Sequence, residues 1–432
     1  MMALRRILAG LVLACIALPG LAKDEAKLLK IGGIDVILRT TTANEVVAAQ
    51  LFIKGGTTAV PDNMSVSIEG MALGVAAESG SMKYSKDDYQ RKLAGMVSTI
   101  GGAGMNDYST FSMRCVREHF KDTWAMFADV ITSPRFDSIE VMKMKRNTIT
   151  GIKSIRSNPD AFVSYLADSL YFQGHPYSRR PTIENVNAIT ENDLQAHFKN
   201  LFVKSRLLLV VVGNVSEEDL RAGIESSFAS LPVGNFTTPI LPEVNRPAAA
   251  VVVDKKLPTT YILGYYAAPG RMAPDYWPMV MATSALSDRL FEEVRTKRNL
   301  SYAPSAGLRP NKTSVGILYV STTLPDSAVR VIFNTIQELK SVPMTEKQVK
   351  SQVAQFLTTV YLRDETNASQ AEALGRYQLL TGSWENSLHV VEKVQQVTAA
   401  DIQNAATKYM HGYNFAAVGK AEHIDKALLE SK

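Results

Sequence analysis

Arg295 and Tyr302 are the side chains whose types and spacing best suit them to handling a peptide. They lie seven positions apart in Leu290-Phe-Glu-Glu-Val-Arg-Thr-Lys-Arg-Asn-Leu-Ser-Tyr302. Leu286, Leu290, Phe291 and Val294 follow helical spacing, which predicts a helix up to Arg295 with that face in the core. A break at Asn299 and an extended run from Tyr302 would then aim a guanidinium and a phenol at one spot in a cleft. Arginine brings a rigid fork of donors and tyrosine a neutral donor beside an apolar ring, a pair able to grip a peptide backbone. Spacing alone also allows a plainer reading. Arg295 would be a surface residue paired with Glu292 or Asp288, and Tyr302 an ordinary aromatic at a strand start.

The elements that must position this pair come in groups. Strand patterns at Leu29–Ile31, Val36–Arg39 and Val46–Ile53 precede helical patterns at Gly70–Ala77 and Lys86–Ile100. Strands near Met105 and over Phe111–Val116 lead to a helical block over Phe120–Ile131, Ile139–Ile155 and Pro159–Tyr171. The second half repeats the scheme. Its strands fall near Val251 and over Tyr261–Tyr266, Ala303–Leu308 and Ser314–Thr322, followed by helices from Asp326 to Val394. Strands and helices segregate, so the expected class is α+β rather than alternating βαβ. Each of two homologous domains should hold an antiparallel-rich mixed sheet with helices on one face. A local echo supports duplication: Thr190-Glu-Asn-Asp193 leads to a strand ending Val212-Gly213, and Thr398-Ala-Ala-Asp401 leads to one ending Val418-Gly419. The Thr-x-x-Asp pattern is a helix cap in both. Leu231 to Pro247, rich in Pro and poor in helix formers, reads as a linker between domains at 23–230 and 248–432.

The first residues read as a cleavable signal peptide over 1–22, with basic Arg5 and Arg6, an apolar Ile7–Leu18 stretch and a Gly-Leu-Ala end. The chain is therefore expected to be exported, to a periplasm or beyond. Lipidation at Cys15 is the rival reading, but it would leave the greasy Ile16–Ala22 on the mature protein. No later run is long and apolar enough for a membrane span. Losing Arg5 and Arg6 takes the formal net charge from +5 to +3, with no long basic run and so no footprint for nucleic acid. Cys115 then remains alone. It sits in an alternating strand pattern with Phe111 and Met113, which favours a buried thiol over a nucleophile. The Gly101-Gly-Ala-Gly104 run lacks the Gly-Lys-Ser/Thr of a phosphate loop and is expected to be a helix-to-strand turn.

This layout resembles the pitrilysin and mitochondrial processing peptidase family, zinc peptidases with an inverted His-x-x-Glu-His motif. Leu290–Leu308 is similar to the family's C-terminal Arg/Tyr segment, with Arg295 and Tyr302 at the matching positions. Tyr171-Phe-Gln-Gly-His-Pro-Tyr177 and Val212-Gly-Asn-Val215 resemble other family segments, and the likeness covers nearly all of the mature chain. The zinc motif itself is replaced. Aligned on Gly70-Met-Ala72, the ligand positions fall at Leu73, Ala77 and about Gly151, and the general-base position at Ala76. Hydrolytic zinc needs about three protein ligands and an open position, and these residues offer none. The six histidines are scattered, with no two at i, i+4, and Glu118-His119 reads as a polar helix start. Glu78 remains, but a lone carboxylate cannot do peptidase chemistry.

The resemblance implies a division of labour, since some bacterial members pair a zinc-bearing subunit with one that carries Arg and Tyr and lacks zinc. This chain looks like the second kind, with no cofactor of its own and zinc expected in a homologous partner bearing His-x-x-Glu-His. Peptides are the implied substrates. Tyr302 would donate to the developing oxyanion and Arg295 would hold the substrate backbone. The alternative is an inactive peptide-binding or assembly protein of the same fold, for example a homodimer. A self-sufficient peptidase is disfavoured, because no Ser/His/Asp, Cys/His or paired-carboxylate arrangement stands out.

Overall fold

The computed structural model describes residues 26–431, so the expected signal peptide and Cys15 lie outside the described residues. The first half contributes β1 (Lys27–Ile31), β2 (Ile34–Thr40), β3 (Val46–Lys54), α1 (Ser67–Ser79), α2 (Lys86–Gly95), β4 (Thr99–Gly104) and β5 (Tyr108–Val116). It continues with α3 (Phe120–Thr132), α4 (Ser138–Ile155), α5 (Pro159–Tyr171), α6 (Ile183–Ala188), α7 (Glu191–Leu201), β6 (Leu207–Gly213) and α8 (Glu217–Phe228). The second half supplies β7 (Ala249–Asp254), β8 (Thr260–Ala267), α9 (Tyr276–Leu290), β9 (Ser305–Arg309), β10 (Val315–Thr322) and α10 (Pro325–Ser341). Last come α11 (Glu346–Arg363), α12 (Asn367–Thr381), α13 (Val390–Gln395), α14 (Ala399–Tyr409), β11 (Asn414–Gly419) and α15 (Lys426–Glu430). Residues 232–248 carry neither helix nor strand. No helix among the described residues is long and apolar enough to cross a membrane.

The fold is α+β, built on two mixed sheets of matching topology. One runs β1-β2-β6-β3-β5-β4 and the other β7-β11-β8-β10-β9. Setting β1 aside, the order is the same, and each sheet has one parallel pair, β2 with β6 and β7 with β11, among antiparallel neighbours. The echoing motifs occupy equivalent places. Thr190 and Thr398 each cap a helix reciprocally with the aspartate three residues on, ahead of β6 and β11 respectively.

Each sheet packs its own half's helices on one face. Val47, Leu51, Phe111, Leu209 and Val211 form the first core with side chains of α1, α3, α7 and α8. Ile262, Leu318, Val320 and Phe415 form the second with α9, α10 and α14. The opposite faces are covered by an exchange between the halves. α12, from the second half, lays Ala371 and Leu374 on Ile37, Phe52, Leu208 and Val210 of the first sheet. α5, from the first half, lays Phe162, Val163, Ala167 and Tyr171 on Leu263, Tyr265, Ala416 and Val418 of the second. This explains why Leu207–Gly213 is an unbroken apolar run: a strand covered on both faces has no polar side to alternate with. The contact is close. A Cβ at Gly375 on α12 would collide with the Phe52 ring. Gly375→Ala should therefore destabilise the protein by about 1–3 kcal/mol, the usual cost of overpacking a full core, as read from urea unfolding monitored by circular dichroism.

One local expectation is corrected. The Gly101-Gly-Ala-Gly104 run is not a turn but most of edge strand β4, and the helix before it stops at Gly95. The glycines admit α1 onto the strand. A Cβ at Gly102 would meet Leu73 Cβ at 2.8 Å, and one at Gly104 would meet the Gly70 backbone N at 3.0 Å.

Candidate functional site

The helix carrying Arg295 does not end where α9 does. Leu290 leads into a π-helical turn over Phe291–Thr296, closed by Lys297 N–H donating to Glu292 O at 2.9 Å. Single π turns are uncommon and frequent at functional sites, since the extra residue re-aims the side chains that follow. Asn299 then adopts φ +51°, a left-handed conformation that asparagine tolerates and that reverses the chain toward Tyr302. Leu290 and Val294 are fully buried and anchor the turn in the second core. Phe291 and Tyr302 point outward, with Tyr302 77% exposed.

Between those two rings lies the Arg295 guanidinium, 4.6 Å from the Phe291 centroid and 4.1 Å from that of Tyr302. The structure thus brings together the two residues singled out by spacing. Stacking fixes the plane of the guanidinium and leaves its edge donors free. The surface ion pairs that spacing allowed, to Glu292 or Asp288, do not form. Glu293 is held by Lys297 and Arg298, each at 2.6 Å, Lys297 also approaches Glu292 at 3.9 Å, and Asp288 receives Gln352 at 3.1 Å. Among the described residues Arg295 has no carboxylate partner. A rigid, unneutralised donor fork beside an exposed phenol can bind a carbonyl oxygen or an oxyanion.

The positions that match zinc ligands are apolar and packed. Leu73 and Ala76 on α1 are fully buried, and Ala77 nearly so. α4 closes over them, with Met144 so near that a Cβ at Gly74 would stand 2.6 Å from its methyl. Gly151, further along α4, is exposed, and a Cβ there would meet nothing within 4 Å. Glu78 is exposed at the end of α1. Among the described residues no group of three His, Cys, Asp or Glu could hold a metal. These side chains do not fit zinc.

The remaining candidates take structural places. His175 accepts from Tyr177 N–H at 3.0 Å and lies 3.2 Å from the Thr313 hydroxyl, and burial lowers its pKa. Cys115 is buried on β5, and burial pushes its thiol up to about 11, far from a nucleophile's range. One cluster escaped the sequence reading. Glu69, fully buried on α1, holds His197 at 2.8 Å and Ser109 at 2.7 Å, with Arg206 at 3.7 Å. Its members come from four separate segments, and no spacing rule reaches across 128 residues from Glu69 to His197.

Comparison with known proteins bears on the fold and the family. Residues 188–356, which include Arg295 and Tyr302, match the family model described as the peptidase M16 inactive domain. An uncharacterized zinc protease of Mycobacterium leprae is 22% identical over 345 residues, covering 76% of this chain and 77% of that protein. The mitochondrial-processing peptidase subunit beta of Blastocladiella emersonii is 24% identical over 257 residues, 55% of each chain. The crystal structure of a peptidase M16 inactive domain from Pseudomonas fluorescens superposes with a TM-score of 0.81 at 18% identity, over 92% of this chain and 98% of that one. The chain thus shares its fold with a peptidase M16 inactive domain, and its residues 188–356 match that family's model.

Proposed function

We propose that this chain is the non-zinc subunit of an exported, heterodimeric zinc peptidase. It binds peptide and stabilises the transition state through Arg295 and Tyr302, opposite a homologous partner's His-x-x-Glu-His site. The observation that carries this reading is the contrast between two sites on one chain. Arg295 stands between two aromatic rings with its donors uncommitted, while the zinc positions are filled by Leu73, Ala76 and Ala77. A relative named as a peptidase subunit supports a role inside an assembly. In that assembly Tyr302 donates to the carbonyl oxygen as it becomes an oxyanion, and Arg295 holds the substrate backbone. Both sheets have an edge strand, β4 and β9, onto which an extended peptide can add as a further strand. Such addition selects unfolded segments over folded proteins.

A second reading, an inactive peptide-binding or assembly protein, is favoured by the apolar packing at Leu73 and Ala76, which leaves the chain no metal ligand there. Affinity capture of the tagged chain from its native envelope fraction, with the eluate assayed for zinc and peptide hydrolysis, separates the two. Recovery of a His-x-x-Glu-His protein with zinc and activity is the expected result. A metal-free, inactive homodimer or monomer would hand the case to the second reading. Zinc and activity in the chain purified alone would overturn both.

A further inference from the structure

A cavity of about 400 Å³ opens in the second half, where α9, α11 and α12 meet edge strand β9. Arg271, Arg363 and Arg376 line it, with Tyr276, Trp277 and Tyr377 as an aromatic wall. The positive charge is not neutralised from within. Arg363 pairs with Asp364 at 2.9 Å, but neither Arg271 nor Arg376 has an ion-pair partner among the described residues. Glu372, one helical turn before Arg376, commits its oxygens to Gln50 at 2.5 Å and Tyr108 at 2.6 Å. Arg376 Nε is buried with no hydrogen-bond partner, which costs free energy unless a ligand answers it. Arg271 donates through Nε to Pro310 O at 3.2 Å and stacks over Tyr276 and Tyr377, at 5.6 and 5.2 Å, which fixes its orientation. Asp288, the one carboxylate among the lining residues, accepts from Gln352 at 3.1 Å and makes no ion pair with the three arginines, whose charge exceeds its own. Burial raises the pKa of both Tyr276 and Tyr377, while all three arginines pull the other way, a second sign that the field inside is positive.

We propose that this cavity binds a peptide carboxylate, either a C-terminal α-carboxylate or an Asp or Glu side chain. Arginine forks meet carboxylates in two parallel hydrogen bonds, and low-dielectric walls strengthen the attraction. The volume falls within the ~300–1,000 Å³ of ordinary ligand pockets. Neither Arg295 nor Tyr302 lines it, so the site is distinct from the Arg/Tyr pair. It adds an anchor to a peptide held elsewhere, and in that respect rests on the proposed peptide-binding role of the chain.

The test uses fluorescence anisotropy with labelled peptides of one neutral sequence: a free C-terminal carboxylate, the amide, and the amide with one internal Glu. A carboxylate-bearing peptide should bind at least about tenfold tighter than the plain amide, the size of one charged hydrogen bond. Arg271→Gln with Arg376→Gln should erase that preference. Arg363→Gln, at a side chain 51% exposed whose loss should cost little stability, should weaken it and serves if the double variant unfolds. Preference for the free C-terminus alone identifies the α-carboxylate; preference for both identifies any acidic group. Equal binding of all the peptides would overturn the proposal, as would a preference that survives the arginine variants. Displacement by inorganic phosphate without any carboxylate preference would also sink it, marking a phosphate site. Arg295→Ala keeps the two claims apart: it should lose activity with the partner yet retain the carboxylate preference.

Discussion

Tyr302→Phe should lower peptide hydrolysis by the partnered enzyme by about 10²–10³-fold, the typical cost of removing one oxyanion donor, while leaving the chain's thermal stability unchanged. The phenol is 77% exposed, so its hydroxyl contributes nothing to the core, and the ring that stacks on Arg295 survives the substitution. The loss should fall on kcat, because a donor aimed at developing charge acts mainly in the transition state. Arg295→Ala should behave differently. On the proposed role it removes a group that grips the ground-state backbone, so KM should rise as well as kcat fall. Arg295→Lys should rescue little, since an ammonium neither lies flat between Phe291 and Tyr302 nor presents a fork. Steady-state kinetics on the reconstituted complex, beside melting curves for each variant, decide the matter. Full activity in Tyr302→Phe would remove the phenol from the mechanism. A matching drop in stability would reduce the effect to one of packing.

The parts of this molecule that are legible in its sequence are those with short-range causes. Short apolar runs located most of the strands, Thr-x-x-Asp located the caps of α7 and α14, and the break at Asn299 appears as a left-handed residue. Spacing allowed the Arg/Tyr pairing, because its members are seven residues apart and the turn joining them is local, but it took the family resemblance to prefer it over a plain surface reading. What escaped depends on distant partners. Nothing around Asn367–Thr381 says that this helix will cover the sheet of the other half, because its apolar residues would suit any hydrophobic face. The Gly101–Gly104 run misled for a related reason. Glycine favours turns by local statistics, but here it is selected by the approach of α1, which comes from about thirty residues upstream and sits within contact of Gly102 and Gly104. The Arg271–Arg376 cavity likewise assembles only once α9, α11 and α12 have met.

Removing the Glu69 carboxylate should destabilise the chain more than Gly375→Ala or any change at the Arg/Tyr pair. Glu69→Ala leaves Arg206 and His197 buried without their shared partner, and breaking a buried charge pair from one side costs about 3–5 kcal/mol. Arg206 has few alternatives: its Nε already donates to Lys54 O at 2.8 Å, and its Nη2 has no hydrogen-bond partner. The carboxylate also sets an acid limit. Burial alone would raise its pKa, but the His197 hydrogen bond, the Arg206 charge and the Ser109 hydrogen bond together outweigh burial and hold it below the ordinary value. A group depressed in the folded state stabilises it fully above the unfolded-state pKa and loses that contribution as pH falls through the folded one. Denaturant melts should therefore show wild-type stability falling in acid, below the ordinary glutamate value of 4.5, with that part of the slope absent in Glu69→Gln. A cost below about 1 kcal/mol for Glu69→Ala at neutral pH, the scale of an exposed ion pair, would mean that the cluster is not holding the fold. The location of this cluster gives the result its functional meaning. Leu73, Ala76 and Ala77 offer no ligand through which a metal could tie α1 in place. Glu69, on the first turn of the same helix, ties it instead to β5 through Ser109, to α7 through His197 and to the segment before β6 through Arg206. A chain with apolar residues where the resemblance would place zinc ligands can thus hold α1 against β4, and keep that sheet edge in shape, by a polar cluster one turn away.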